Sequence, residues 1–144
     1  MANIMKFHFI SPHKLIPTEE TDAGRVDEVH GLISTAGSWT VPITVEKDAL
    51  FVMDGHHRLE VALRLGLRAV PAVLLDYRSV RVEAWRAGET ITPADIYDIA
   101  RSRRKFPIKT TRHIFLDDLP ACDVSLDDLR QWYEPLDHSE RLAG

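Results

Sequence analysis

The chain has 144 residues, of which 18 are Lys or Arg and 22 are Asp or Glu, so its formal net charge is −4, and it contains one cysteine. A chain of this length predicts one domain with enough core to fold without disulfides or structural metals. We find no signal-like opening segment and no apolar run near the ~20 residues that span a bilayer. We therefore expect a cytoplasmic protein with no membrane partner.

Positive charge is concentrated in one segment of the chain. Between Arg101 and His113 there are six Lys or Arg residues and no acid, whereas from Ile114 to the end there are eight acids and two bases. A basic segment therefore precedes an acidic C-terminal region. Because the remainder of the chain is acidic, we expect no nucleic-acid partner.

The hydrophobic pattern predicts a small α/β (α+β) domain. Branched and aromatic runs predict strands at 6–10, 41–45, 50–54, 70–77 and 80–85, and helical spacing predicts helices that begin near 22, 56, 92 and 125. The strands 41–45 and 50–54 flank a polar turn and should form a hairpin, and strand 80–85 should pair with strand 70–77. Thr92-Pro93-Ala94-Asp95 is a capping-box sequence, which marks a helix start. The order of elements favours a small mixed sheet with flanking helices.

The segment Asp54-Gly55-His56-His57-Arg58 leads from a predicted strand into a predicted helix. The first amides of a helix have no acceptor within it and lie at the positive end of its dipole, so they can bind phosphate. His and Arg would add positive charge, and Asp54 would be placed to bind Mg²⁺ or to accept a proton. In a purely structural alternative, Asp54 caps the helix and the cations are solvated. Zinc is not favoured, because adjacent histidines rarely chelate one ion.

A second segment, Lys109-Thr110-Thr111-Arg112-His113, combines two cations, two hydroxyls and an imidazole. Such a set can hold a phosphate or a carboxylate. The alternative is a solvated basic loop that forms ion pairs with the acidic C-terminal region. The chain contains no Walker A, GxGxxG, HRDxxxxN or GxSxG motif, so any phosphate transfer must use another scaffold.

Three further residues are expected to be structural. Trp39 and Trp132 should pack in the core or at its rim, since burial is the commoner use of an aromatic side chain. Cys122 has no second cysteine to pair with, and neighbouring acids should raise its pKa, so thiol catalysis is not favoured.

Taken in order, the motifs resemble the free L-serine kinases, which have the ParB N-terminal/sulfiredoxin-like fold. The resemblance rests on 15–19 (Leu-Ile-Pro-Thr-Glu), on the segments 54–58 and 109–113, and on Leu-Gly at 65–66 and Val-Pro at 70–71. It implies a ParB/sulfiredoxin-like single domain, which we assign to residues 1–124. The charge pattern and the helix-start sequence predict an acidic tail with a short helix at 125–144. The resemblance also implies Mg²⁺-dependent transfer of phosphate from ATP, ADP or pyrophosphate to free L-serine, which gives O-phospho-L-serine for cysteine or siderophore-precursor synthesis.

The resemblance implies roles for individual residues. Glu19 would be the general base that takes the proton from the serine hydroxyl, and Asp54 would be a second essential acid near the transferred phosphoryl group and its Mg²⁺. The residues implied to bind the donor phosphates are Gly55, His56, His57, Arg58, Lys109 and Arg112. The residues implied to bind the substrate are Ser38, Trp85, Thr110, Thr111 and His113.

The chain departs from the family pattern in two places. Thr18 stands where the family has His, and the segment between Trp85 and Lys109 is shorter than the accessory lobe of the kinases. In addition, Glu20 lies beside Glu19, so the general base could be either of these two residues.

Two other groups with the same fold match the sequence less well. Sulfiredoxins have a catalytic cysteine where this chain has His56. ParB proteins carry a DNA-binding helix-turn-helix after this domain, and the 31 residues that follow His113, eight of them acidic, are too few and too negative for that module. A nucleotide-binding regulatory module without catalysis is the alternative function.

Overall fold

The protein is built on a small mixed sheet with helices packed around it, as predicted. The computed structural model describes residues 6–133. Its strands are β1 His8–Ile10, β2 Ser38–Trp39, β3 Ile43–Glu46, β4 Val52–Asp54, β5 Val70–Leu75, β6 Val80–Ala84, β7 Thr111–Phe115 and β8 Val124–Ser125. Its helices are α1 Ala23–Ala36, α2 His56–Arg64, α3 Pro93–Ser102 and α4 Leu126–Arg130, with a 3₁₀ turn at Pro12–Lys14.

The main sheet has the strand order β1-β5-β3-β4. Strand β5 is antiparallel to β1 and parallel to β3, and β3 forms an antiparallel hairpin with β4. Two antiparallel ribbons, β2–β8 and β6–β7, complete the strand pairing of the described residues. Strand β4 ends at Asp54 and α2 begins at His56, so a single glycine separates them. This tight connection places the helix N-terminus at the edge of the sheet.

Most predicted elements are confirmed. The hairpin forms, and the helix beginning near residue 22 is capped by Asp22, whose carboxylate accepts the N–H of Arg25. Thr92 and Asp95 form the capping box in both directions at the start of α3. Ser125 caps α4 by accepting the N–H of Asp128. These elements were predictable because their signals are local in the sequence.

One predicted strand pairing is wrong. Strand β6 pairs with β7, with Val82 opposite His113, and does not pair with β5. The basic segment, for which a solvated loop was the alternative interpretation, forms a strand from Thr111 onward. Its period-2 pattern is visible in the exposure of Arg112 between the more buried Thr111 and His113.

The core consists of two main apolar clusters around the sheet. Trp39, only 1% exposed, belongs to one cluster and Phe51 to the other. Trp132 stacks on Phe9 with a centroid separation of 4.3 Å, so both tryptophans pack as predicted. Helix α4 contributes Leu129 to the first cluster. The boundary between 124 and 125 stays a prediction, and residues 134–144 of the acidic tail lie outside the described residues.

None of the helices in the described part of the chain is long and apolar enough to cross a membrane.

Candidate functional site

A cleft of about 1000 Å³ lies between α1, the β4–α2 turn and the β6–β7 ribbon. The predicted site residues in its wall are Glu19, Asp54, Gly55, His56, His57, Arg58, Trp85, Lys109, Thr111, Arg112 and His113. Motifs that are far apart in the sequence therefore meet at one cavity. Thr110 reaches the site through its backbone N–H, whereas Ser38 is paired with Ser125 in the β2–β8 ribbon and does not line the cleft.

Glu19 is held at this cleft by the start of β7. Its carboxylate accepts the backbone N–H of Thr110 at 2.7 Å and the hydroxyl of Thr111 at 3.2 Å. Burial raises the pKa of Glu19 and the nearby charge of Asp54 adds to this rise, while the hydrogen bonds oppose it. A carboxylate with a raised pKa is a stronger base, so Glu19 is suited to accept a proton from a ligand.

The turn between β4 and α2 leaves the helix N-terminus open. The N-cap residue is Gly55, at a φ of +114°, and no side chain of the described residues caps the first turn. The structural alternative in which Asp54 caps this helix is therefore wrong. The Asp54 side chain is 68% exposed and lies 3.8 Å from the guanidinium of Arg58. A helix N-terminus and an accessible carboxylate are thus adjacent in the cleft.

We predict that Gly55→Ala destabilises the protein. A Cβ at this position would lie 3.1 Å from Arg58 Nη2 and 3.2 Å from two side-chain carbons of Ile43, in a backbone conformation that favours glycine. We expect urea unfolding to show a loss of about 1–3 kcal/mol in the free energy of unfolding. The control is Gly31→Ala in α1, where the added Cβ meets open space and should raise the stability slightly. Equal effects in the two variants would contradict the strain argument.

His56 and His57 hold the loop that carries Glu19. The Nε2 atom of His56 accepts the backbone N–H of Thr18, and Nε2 of His57 accepts the backbone N–H of Asp22, each at 3.1 Å. Burial lowers the pKa of His56 to about 3 and also lowers that of His57. The His56 imidazole is therefore neutral at pH 7, and we propose that this position serves phosphate binding through its backbone N–H.

The neutral His56 predicts a fold that weakens in acid. Below pH 6.5 the His56 imidazole is protonated in the unfolded chain, whereas in the folded chain it stays neutral down to about pH 3. The free energy of unfolding therefore falls as the pH drops through this window. One such group changes the free energy of unfolding by at most ~1.4 kcal/mol per pH unit, so we expect His56 to contribute about 1–2 kcal/mol to the loss between pH 7 and pH 5. His113, whose pKa burial also lowers, adds its own contribution in the wild type and in both variants. Urea unfolding of His56→Gln should show a smaller loss. The exposed control His13→Gln should keep the wild-type loss, and the same loss in both variants would exclude His56 as its source.

Arg58 joins α2 to the connection between β2 and β3. Its Nη1 donates to the carbonyl oxygens of Val41 and Pro42 at 2.6 and 2.8 Å. Burial lowers the pKa of Arg58, and Asp54 opposes this change. Nη1 of this guanidinium is thus already hydrogen-bonded to backbone oxygens. A phosphate group in the cleft would contact Arg58 on its Nη2 side.

The opposite wall of the cleft carries exposed positive charge beside an aromatic ring. Arg112 lies over the ring of Trp85 at 5.1 Å and 3.6 Å from the carboxylate of Glu83. Trp85 is 53% exposed, and Lys109 adopts a left-handed backbone with a φ of +57°. The strained Lys109 backbone directly precedes Thr110, whose N–H donates to the Glu19 carboxylate. This wall of the cleft is therefore connected to Glu19 by a hydrogen bond.

The chain is similar in sequence to a ParB-like protein and to L-serine kinases. It is 31% identical to a ParB-like protein of Sulfolobus acidocaldarius over 130 residues, which are 90% of this chain and 64% of that protein. It is 35% identical to an ATP-dependent L-serine kinase of Staphylothermus marinus over 82 residues, which are 53% of this chain and 32% of the kinase. No family model matches the chain.

Solved structures show the same fold. A free serine kinase with a Glu-to-Gln mutation, in complex with AMP, superposes with a TM-score of 0.80 at 15% identity, covering 89% of this chain and 95% of that one. SbnI from Staphylococcus aureus, truncated at its C-terminus, superposes with a TM-score of 0.80 at 13% identity, covering 95% and 92%. The chain therefore has the fold of these proteins. It spans 64% of the ParB-like relative and about a third of the L-serine kinases.

Of three further residues, two make contacts that could not be located from the sequence. Thr18, which replaces a family histidine, donates its hydroxyl to Val52 O and its backbone N–H to His56, so it belongs to the support of the loop. Cys122 has the raised pKa that was predicted, with burial as the main cause. Tyr77 contacts His113 and was not predicted to take part, because no local motif marks it.

Proposed function

We propose that the protein transfers a phosphoryl group from a nucleotide to the hydroxyl of free L-serine, with Mg²⁺, and so forms O-phospho-L-serine. The observation that carries the proposal is the buried Glu19 carboxylate, held by Thr110 and Thr111 in the same cleft as the uncapped N-terminus of α2. Phosphoryl transfer is catalysed mainly by positioning and charge stabilisation, which these two features supply. The relatives named ATP-dependent L-serine kinase support the same reaction.

On the acceptor side, Glu19 would take the proton from the serine hydroxyl as the oxygen attacks phosphorus. The two hydrogen bonds from β7 fix the carboxylate, and its raised pKa makes it a better proton acceptor. Glu20 also lines the cleft but its side chain is exposed, so we assign the base to Glu19.

On the donor side, the first amides of α2 would bind phosphate oxygens. Gly55 removes any side chain that would cover these amides, and the helix dipole favours negative charge there. Lys109 and Arg112 would add charge from the opposite wall of the cleft. His57 would contribute mainly by holding the loop.

Mg²⁺ would be held by Asp54 together with phosphate oxygens and water. Among residues 6–133 there is no group of three or more His, Cys, Asp or Glu side chains that could hold a metal by themselves. A single accessible carboxylate suits Mg²⁺, which keeps most of its waters and is commonly shared with substrate phosphates. When bound, the ion would neutralise charge on the donor phosphates.

One end of the cleft is apolar and favours a nucleotide over pyrophosphate as the donor. Its wall is formed by Val29, Leu32, Ile33, Trp39 and Val41. Leu32 and Val41 are both more than half exposed, so they offer apolar surface to a ligand in the cleft. A nucleobase would cover such a surface, whereas pyrophosphate has no group that could.

An acceptor comparison tests the proposed reaction. Purified protein with Mg²⁺ and ATP or ADP is given L-serine, D-serine, L-threonine or glycerol, and phosphorylated products are measured by mass spectrometry. We expect O-phosphoserine from L-serine and much less product from the others. Equal product from glycerol would contradict an amino-acid acceptor.

In the cell we place this reaction in the cytoplasm, where its product would feed cysteine or siderophore-precursor synthesis.

A nucleotide-binding module without catalysis is the second candidate. It is favoured by the ParB-like relative, which matches 90% of the chain where the L-serine kinases match 53% and 55%. Bound nucleotide would stabilise such a module as it would stabilise a kinase. A rise in melting temperature on adding nucleotide therefore does not distinguish the two functions. Product formation does separate them.

A further inference from the structure

Tyr77 lies just after β5 and contacts a residue that lines the cleft. Its hydroxyl is 3.0 Å from Nε2 of His113, and the two rings are 5.8 Å apart. The rings of Phe51 and Tyr97 pack against Tyr77, and the Tyr97 hydroxyl is held by the buried carboxylate of Glu46 at 2.6 Å. Tyr77 is thus fixed by its neighbours, and it in turn fixes His113.

The second ring nitrogen of His113 has no protein partner. Nδ1 is buried and makes no hydrogen bond to any group of residues 6–133. An unpaired buried polar atom costs about 1–3 kcal/mol, so a folded protein rarely retains one without a reason. His113 lines the cleft, so a ligand bound there is the available source of a partner for this nitrogen, and it would reach Nδ1 with a small movement of the groups that cover it.

Counting hydrogen bonds indicates which nitrogen carries the proton. Burial lowers the pKa of His113 to about 4, so the ring is neutral at pH 7 with a single N–H. If Nε2 donated to the Tyr77 oxygen, both the phenol hydrogen and Nδ1 would lack partners among the described residues. If the Tyr77 hydroxyl donates to Nε2, only the Nδ1–H remains unpaired. Burial raises the pKa of Tyr77, so the phenol keeps the proton that it donates.

We infer that Tyr77 is a positioning residue that fixes His113 as an Nδ1–H donor to an anionic oxygen of the ligand in the cleft. The identity of that ligand rests on the proposed function, in which the anionic oxygens are the carboxylate of the amino acid and the phosphates of the nucleotide. The placement favours the carboxylate. His113 and Thr111 lie on the same face of β7, and Thr111 holds Glu19, the base for the acceptor hydroxyl.

Kinetics of Tyr77→Phe test the inference, with Tyr97→Phe as the matched control. Both variants lose one part-buried phenol oxygen from the same aromatic cluster, but the Tyr97 hydroxyl bonds Glu46 and not His113. We expect the KM for L-serine to rise about tenfold in Tyr77→Phe, with kcat within about threefold and ADP affinity unchanged, as for one charge-assisted hydrogen bond. A tenfold loss of ADP affinity instead would assign the oxygen to a phosphate. No difference between the two variants would overturn the inference.

Long-range ¹H–¹⁵N NMR of histidine-labelled protein measures the tautomer without any turnover. The spectrum of His113→Gln assigns the signal of His113. We expect the Nδ1–H tautomer in the wild type and in Tyr97→Phe, and a shift toward Nε2–H in Tyr77→Phe. An Nε2–H tautomer in the wild type would overturn the inference. If the protein shows the expected tautomers but forms no product with any phosphate donor, the proposed function is wrong. The assignment of the His113 proton to Nδ1 is then still correct.

Discussion

Replacing Glu19 by glutamine should lower kcat for the formation of O-phosphoserine by about 10²–10⁴-fold, the range for loss of a general base. Glutamine keeps the length of the side chain, and its amide oxygen can still accept the N–H of Thr110. It cannot take the proton from the attacking hydroxyl. Nucleotide affinity, measured by calorimetry, should stay within about tenfold because the proposed role of Glu19 is toward the acceptor hydroxyl.

The adjacent glutamate supplies the control for this experiment. Glu20 lines the same cleft but is exposed, so Glu20→Gln should leave kcat within about threefold of the wild type. If Glu20→Gln were inactive and Glu19→Gln active, the base would be Glu20. If both variants were active, the Glu19 loop would not supply the base, and Asp54 would be the next candidate.

Replacing Asp54 by asparagine should remove most of the rate of the reaction and shift its dependence on Mg²⁺ to higher concentrations. We expect kcat/KM to fall by on the order of 10²-fold or more, because a neutral amide is a much weaker ligand for a hard divalent cation. Stability should change little, since the Asp54 side chain is 68% exposed and its ion pair with Arg58 is long. The measurement is initial rate against Mg²⁺ concentration.

Asp27→Asn is the matched control for the change in charge. Asp27 lies on α1 and pairs with Arg64 at 2.8 Å, and neither residue lines the cleft. This variant should keep the wild-type rate and the wild-type response to Mg²⁺. A Mg²⁺ titration of Asp54→Asn that superposes on the wild-type curve would remove Asp54 from the metal site.

The strand–turn–helix motif at 54–58 was predictable because its signals are local. A strand, a glycine and a helical pattern follow one another within a few residues, and the same holds for the capping box at Thr92. The pairing of β6 with β7 was not predictable in this way, because Val82 and His113 are distant in sequence and many charged side chains hide the alternation in β7. Topology is decided by such distant contacts.

The individual roles of cations in the motif were also hidden in the sequence. His56 and Arg58 suggested positive charge for phosphate, yet the imidazole accepts from Thr18 and the guanidinium donates to Val41 and Pro42. These partners lie in other parts of the chain, so no local pattern indicates them. The same reason explains why Tyr77 was missed.

The most direct test of the account is a ³¹P NMR time course of the purified protein with Mg²⁺ and L-serine, run in parallel with ATP, ADP and pyrophosphate. We predict a growing phosphomonoester signal of O-phosphoserine with ATP or ADP, matched by loss of the terminal phosphate signal of the donor. A nucleotide that binds and stabilises the protein while no phosphomonoester appears with any donor would contradict the kinase assignment and favour the non-catalytic module.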